Sequence, residues 1–112
     1  MNVNPGDLSK RIEIQRFVRD RDADGYYTED WVTVHRTWAQ FSRLSGTEAA
    51  ERGADFARVQ VRFLIRWREG IDRKMAVLYR GERYEIEYLN DYGDRHEYLE
   101  ILAGRSTQEA SL

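Results

Sequence analysis

The stretch from Arg58 to Arg68 constrains the fold more than any other part of this chain. Val59, Val61, Phe63, Ile65 and Trp67 share one phase of a two-residue alternation. Arg58, Gln60, Arg62, Leu64, Arg66 and Arg68 share the other. This is the period of an extended strand with one face in a core. A slip of one residue would bury four arginines, so the facing of this strand is fixed. The chain around it has 112 residues and no cysteine, enough for one core but not for two, and with no disulfide to support a thinner one. Residues 1–112 are therefore expected to form a single domain, with an ordered core over about 7–103 and a polar tail over 104–112.

Other segments repeat the extended pattern. In Asp7–Val18, Ile12 and Ile14 alternate with Arg11, Glu13 and Gln15. Arg19–Gly25 is charged and ends in Asp-Gly, which predicts an exposed hairpin arm or loop. Trp31–Phe41 is rich in β-branched and aromatic residues. Its alternation is imperfect, with Trp31, Thr33 and His35 on one phase and Val32, Val34 and Trp38 on the other, so a bulge is expected near His35-Arg36. Met75–Tyr79 leads into Arg80-Gly81-Glu82-Arg83, where Gly81-Glu82 suits a two-residue II′ turn. The return strand Tyr84–Tyr88 should point Tyr84, Ile86 and Tyr88 inward. A loop at Asn90–Asp94 precedes a last strand, Glu97–Leu102. Ser45-Gly46-Thr47-Glu48 fits a capping box and opens the one helix-prone stretch, Ser45–Ala57, which Gly53 interrupts. The fold expected is mainly β, a small six-stranded antiparallel barrel or sandwich with a short helix or helix-prone loop between strands 2 and 3.

Motifs for catalysis are missing. Thiol chemistry is excluded, His35 and His96 have no metal-ligand spacing, and no serine sits in a Gly-x-Ser-x-Gly elbow. Asp20, Asp22 and Asp24 resemble the start of a calcium loop, but the twelfth position would be Trp31 instead of a bidentate glutamate. A solvated turn is the better reading, and neither an enzyme nor a cofactor is expected. Met1–Asp7 has neither a charged start nor an apolar stretch, and no apolar run approaches the roughly 20 residues of a membrane span. A soluble protein without a membrane partner is expected.

Charge bears on nucleic acid. Eighteen basic against twenty acidic residues leave a net of −2, without the positive excess that phosphate binding normally requires. All the basic residues except Lys10 and Lys74 are arginines, the cation enriched at protein interfaces. The arginine face of Arg58–Arg68 could follow phosphates, as in a small OB-like nucleic-acid-binding barrel. Its aromatics point to the opposite face, however, and Glu85, Glu87, Glu97 and Glu100 could pair with the arginines across the sheet.

Taken in order, these residues resemble the phage head–tail joining family (head closure, stopper and adaptor proteins). The likeness runs through Gly6, Leu8, Arg11, Ile12 and Ile14, then Asp22-Ala23-Asp24-Gly25, Trp31 and Trp38-Ala39. It continues through Ser45-Gly46-Thr47-Glu48, Ile65-Arg66-Trp67-Arg68 and Tyr79-Arg80-Gly81-Glu82-Arg83-Tyr84-Glu85-Ile86, and ends with Leu99–Leu102. It spans about Gly6 to Ala103. The resemblance implies a virion subunit, assembled in the host cytoplasm, that is monomeric in solution and forms a ring, typically twelve-fold, beneath the portal and adaptor. Such a ring closes the DNA-filled head, touches the passing double-stranded DNA and docks tail proteins. A tail-completion role is a variant of the same likeness. By position, Leu44–Ala57, with Ser45, Gly46, Thr47, Glu48, Arg52 and Asp55, is expected to be a channel-side loop. The Arg19–Glu29 arm, with Arg19, Arg21 and Asp24, is expected to be an inter-subunit or adaptor contact. Arg62, Arg66 and Arg68 are further interface candidates.

Overall fold

The computed structural model describes residues 3–44 and 59–105. A short 3-10 turn, Pro5–Asp7, is capped by Asn4, whose side chain accepts from the Gly6 N–H. Six strands follow: β1 (Lys10–Arg21), β2 (Tyr27–Arg43), β3 (Val61–Arg66), β4 (Met75–Tyr79), β5 (Glu82–Tyr92) and β6 (Tyr98–Arg105). They close into an antiparallel barrel in the order β1-β2-β3-β6-β5-β4. The expectation of a barrel or sandwich resolves to a barrel. The helix-prone stretch Ser45–Ala57 lies outside the described residues.

The interior is built from one phase of each strand, as the alternation requires. Phe63 is fully buried and meets Phe41 at 5.2 Å, Tyr79 at 5.7 Å and Tyr84 at 5.9 Å between ring centroids. Ile12, Ile14, Val61, Ile65, Val77, Ile86 and Ile101 fill the space around them. Trp67, expected to share this core, is only half-buried and packs against its margin, edge-to-face on His96 at 4.4 Å.

Two bulges reset the facing of long strands. On β2, Ile14 pairs with His35 but Gln15 pairs with Thr33, leaving Val34 as the extra residue, next to the expected site. Thr33 and Trp31 therefore turn to the outer wall while His35 faces inward opposite Ile14. The Thr33 hydroxyl donates to Glu13 at 2.6 Å and accepts from the Gln15 amide at 3.3 Å. On β5, Ile86 pairs with Ala103 and Tyr88 with Leu102, so Glu87 is extra. Tyr88 is consequently turned outward and 46% exposed, not inward as the plain alternation predicts, and Leu89 packs on the core instead.

The turn between β4 and β5 also differs from expectation. Tyr79 pairs with Glu82, so the two loop residues are Arg80 and Gly81. Both have positive φ, 52° and 81°, the signature of a I′ turn instead of II′. Arginine is a poor occupant of that first position and asparagine a good one. Arg80→Asn should raise stability by about 0.5–1 kcal/mol, read as a higher urea midpoint at unchanged slope. At the other end of the chain, β6 extends through Gly104, which pairs with Glu85, to Arg105, which pairs with Tyr84. The expected polar tail thus begins no earlier than Ser106, where the described residues stop.

Candidate assembly surfaces

The barrel has two distinct ends, and its pairing fixes what leaves from each. β1 contacts β4 only over Glu13–Arg16, and β2 contacts β3 only over Ala39–Arg43. Beyond these limits β1 and β2 pair with each other alone, up to Arg21↔Tyr27. At about 3.3 Å per residue, the Phe17–Arg21 stretch carries this hairpin roughly 15 Å past the last β1–β4 pair. It is an arm projecting from the end that also holds Trp67, Arg68, Tyr98 and Met75. Leu44 and Gln60, joined by a backbone hydrogen bond of 2.9 Å, lie at the opposite end. The described chain therefore leaves the barrel at Leu44 and resumes at Val59 at the end opposite the arm.

The arm tip is organised by Asp22. Its carboxylate accepts from the Asp24 N–H at 3.0 Å and the Tyr26 N–H at 2.9 Å, and its carbonyl accepts from Gly25 at 3.0 Å. Gly25 takes a φ of 86°, which glycine alone adopts cheaply. The calcium-like Asp-x-Asp spacing is thus used to close a turn. On one face of the arm, Arg19 pairs with Glu29 at 3.4 Å and lies 4.3 Å from the Tyr27 ring centroid. Arg21 donates to the Tyr27 hydroxyl at 2.7 Å. Phe17 and Trp31 meet edge-to-face at 5.2 Å, with the Arg83 guanidinium 5.0 Å from the Trp31 ring. These contacts stiffen an arm that has no core of its own, although each exposed pair contributes little alone.

The candidate residues fall in separate places. Arg19, Arg21 and Asp24 are together on the arm. Arg62 lies on the outer barrel wall and is committed internally: its Nε meets the Glu100 carboxylate at 2.5 Å, and its guanidinium lies 5.2 Å from the Tyr92 ring centroid. Arg62 and Glu100 keep only 15% and 6% of their side-chain surface. Leu64, from the arginine phase, is buried beside them opposite Glu100. Glu85 and Glu87, also expected to face the β3 arginines, are on β5, with β6 between. Arg66 and Arg68 are exposed at the arm end. Ser45, Gly46, Thr47, Glu48, Arg52 and Asp55 lie outside the described residues. Sequence reasoning did not single out Tyr26 and Tyr27, which are 73% and 57% exposed at the arm tip. Their signal was two aromatics directly after a hairpin glycine, where polar residues are usual.

His35 faces inward at the arm end. Burial, and then the nearby Arg68 cation, hold its pKa below the ordinary 6.5. The unfolded chain then binds the His35 proton more readily, so stability falls as the pH drops below 6.5 toward the lowered value. His35→Gln should flatten that acid-side slope in urea titrations at several pH values.

A closed six-stranded antiparallel barrel carrying a long two-stranded arm defines a small all-β module. Residues 3–106 match the family described as phage head completion protein, and the chain belongs to that family. It is similar to head completion protein gp7 of Enterobacteria phage HK97, 26% identical over 91 residues that cover 81% of each chain. Among solved structures, protein SF1141 of Shigella flexneri 2a superposes with a TM-score of 0.77 at 31% identity, over 95% of this chain and 99% of that one. A chain from the virion of a native gene transfer agent particle shares the fold, with a TM-score of 0.58 at 19% identity, over 85% and 91% of the two chains. The protein is a structural component of a phage-type virion.

Proposed function

We propose that this chain is a ring-forming connector subunit that sits below the portal or adaptor, closes the DNA-filled head and docks the tail. The observation that carries this reading is that the arm projects from one end of the barrel while Leu44 and Gln60, which flank the Leu44–Ala57 insertion in sequence, meet at the other. A subunit built this way can meet a different neighbour at each end while its wall faces copies of itself. The ring is taken as twelve-fold and assembled on the head in the host cytoplasm from a soluble monomer. The insertion is its channel-side loop, in passing contact with double-stranded DNA, and the arm meets a neighbouring subunit or the adaptor. A net charge of −2 suits a channel through which DNA must slide. The nucleic-acid-binding alternative has less support, because Arg62 is occupied by Glu100.

The test is negative-stain imaging of purified, DNA-filled, tailless heads mixed with the full-length protein. Added ring density at the portal vertex is expected. Its absence, together with tight and salt-sensitive DNA binding by the free protein, would sink the connector reading. Heads completed with a variant lacking residues 47–56 should carry the ring yet release DNA, and wild-type retention would remove the channel-loop assignment.

A further inference from the structure

The arm has two free backbone edges among the described residues. The edge of β1 is free from Phe17 to Arg21, and that of β2 from Tyr27 to Trp38. Such edges invite pairing with another strand, and proteins usually block them with lysine, proline or short length. Lysine, proline and short length are all absent from this arm, the bulge at Val34 interrupts only the barrel-proximal part, and the protection left is the charge on each edge, which acts against like edges only.

The charges on the two edges are of opposite sign. Along its free stretch β1 brings Arg19 and Arg21 against the single Asp20, whereas β2 brings Glu29 and Asp30 with no cation before Arg36. Two β2 edges meeting each other would set Glu29 and Asp30 against their own copies, and two β1 edges would oppose arginines. Like charges across strands are destabilising, and opposite charges are favourable. The pattern therefore disfavours a two-fold contact of either edge with itself and favours β1 of one copy against β2 of the next. Hairpins related by rotation about an axis along the arm keep a common direction. Neighbouring β1 and β2 strands would then run antiparallel, the same sense as within each hairpin.

We infer that the arm is a strand-pairing device between copies of this chain, the Phe17–Arg21 edge of one subunit adding to the Tyr27-side edge of the next. The inference rests on the ring reading and specifies the contact that links its members. A head-to-tail contact of this kind generates a closed ring where the rotation closes. The occupant of the edge is a second copy, because the complementary edge is found on this chain itself.

The absence of cysteine makes the test direct. Single-cysteine variants on β1 (Val18→Cys, Arg19→Cys, Asp20→Cys) and on β2 (Thr28→Cys, Glu29→Cys, Asp30→Cys) are made in the full chain. Each β1 variant is mixed with each β2 variant, added to tailless heads, imaged for ring density and then oxidised. At least one β1–β2 mixture should give most of its cross-linked protein as the mixed dimer, while single variants cross-link several-fold less. Ring density with same-variant cross-links dominating, or with no cross-links in any mixture, overturns the strand-pairing inference and leaves the ring intact. Heads without ring density overturn both.

Discussion

Phe63→Ala should destabilise the barrel by about 3–5 kcal/mol, the range for truncating a fully buried aromatic. Phe63 has no exposed surface and lies among Phe41, Tyr79 and Tyr84, contributed by three other strands. Close-packed walls formed by several strands of a closed barrel cannot collapse far into the space left behind, so the cavity cost should be nearly complete. Urea unfolding should show a much lower midpoint at unchanged slope. Trp67→Ala should cost roughly half as much, because Trp67 is half-buried at the core margin. If Trp67→Ala proved the more damaging, the core would have to be centred at the arm end instead of on Phe63.

The contrast between those two side chains also shows what the sequence can reveal. The alternation of Val59–Arg68 gave Phe63 and Trp67 the same phase, and both do face inward. Alternation carries no information about where along the barrel axis a residue falls, and Trp67 falls beyond the end of β3. The bulge on β2 was legible because apolar and aromatic residues fall on both phases of Trp31–Phe41. The bulge on β5 was not, because Tyr84, Ile86 and Tyr88 keep a perfect alternation through it. Only the pairing with β6 places Tyr88 opposite Leu102 and turns it out. The Gly81 turn was placed within one residue, since a glycine can occupy either central position and only Tyr79↔Glu82 decides which. For the candidate surfaces, Asp-Gly and the run of charges marked the arm. The length of the arm depends on where β1 and β2 part from β4 and β3, which is long-range information that no local pattern holds.

The Arg62–Glu100 pair, one of the cross-strand pairings offered by the sequence, supports the second large prediction. Arg62→Ala should cost about 3 kcal/mol, near the lower end of the range for breaking a buried pair, since Arg62 keeps some exposure. The loss comes mainly from the Glu100 carboxylate, which stays buried between Leu64 and the β5 wall after its guanidinium partner is removed. Asn90 also reaches it, at 3.5 Å. Replacing both partners removes the buried charge altogether, so Arg62→Met with Glu100→Leu should recover most of the stability. A double-mutant cycle by urea unfolding measures this coupling directly. A surface arginine reserved for DNA or for a neighbouring subunit would give the opposite pattern, with little loss of monomer stability and a clear loss of assembly on heads. If Arg62→Ala leaves the urea midpoint unchanged, the pair with Glu100 is not what holds this part of the outer wall, and Arg62 returns to the set of interface candidates with Arg66 and Arg68.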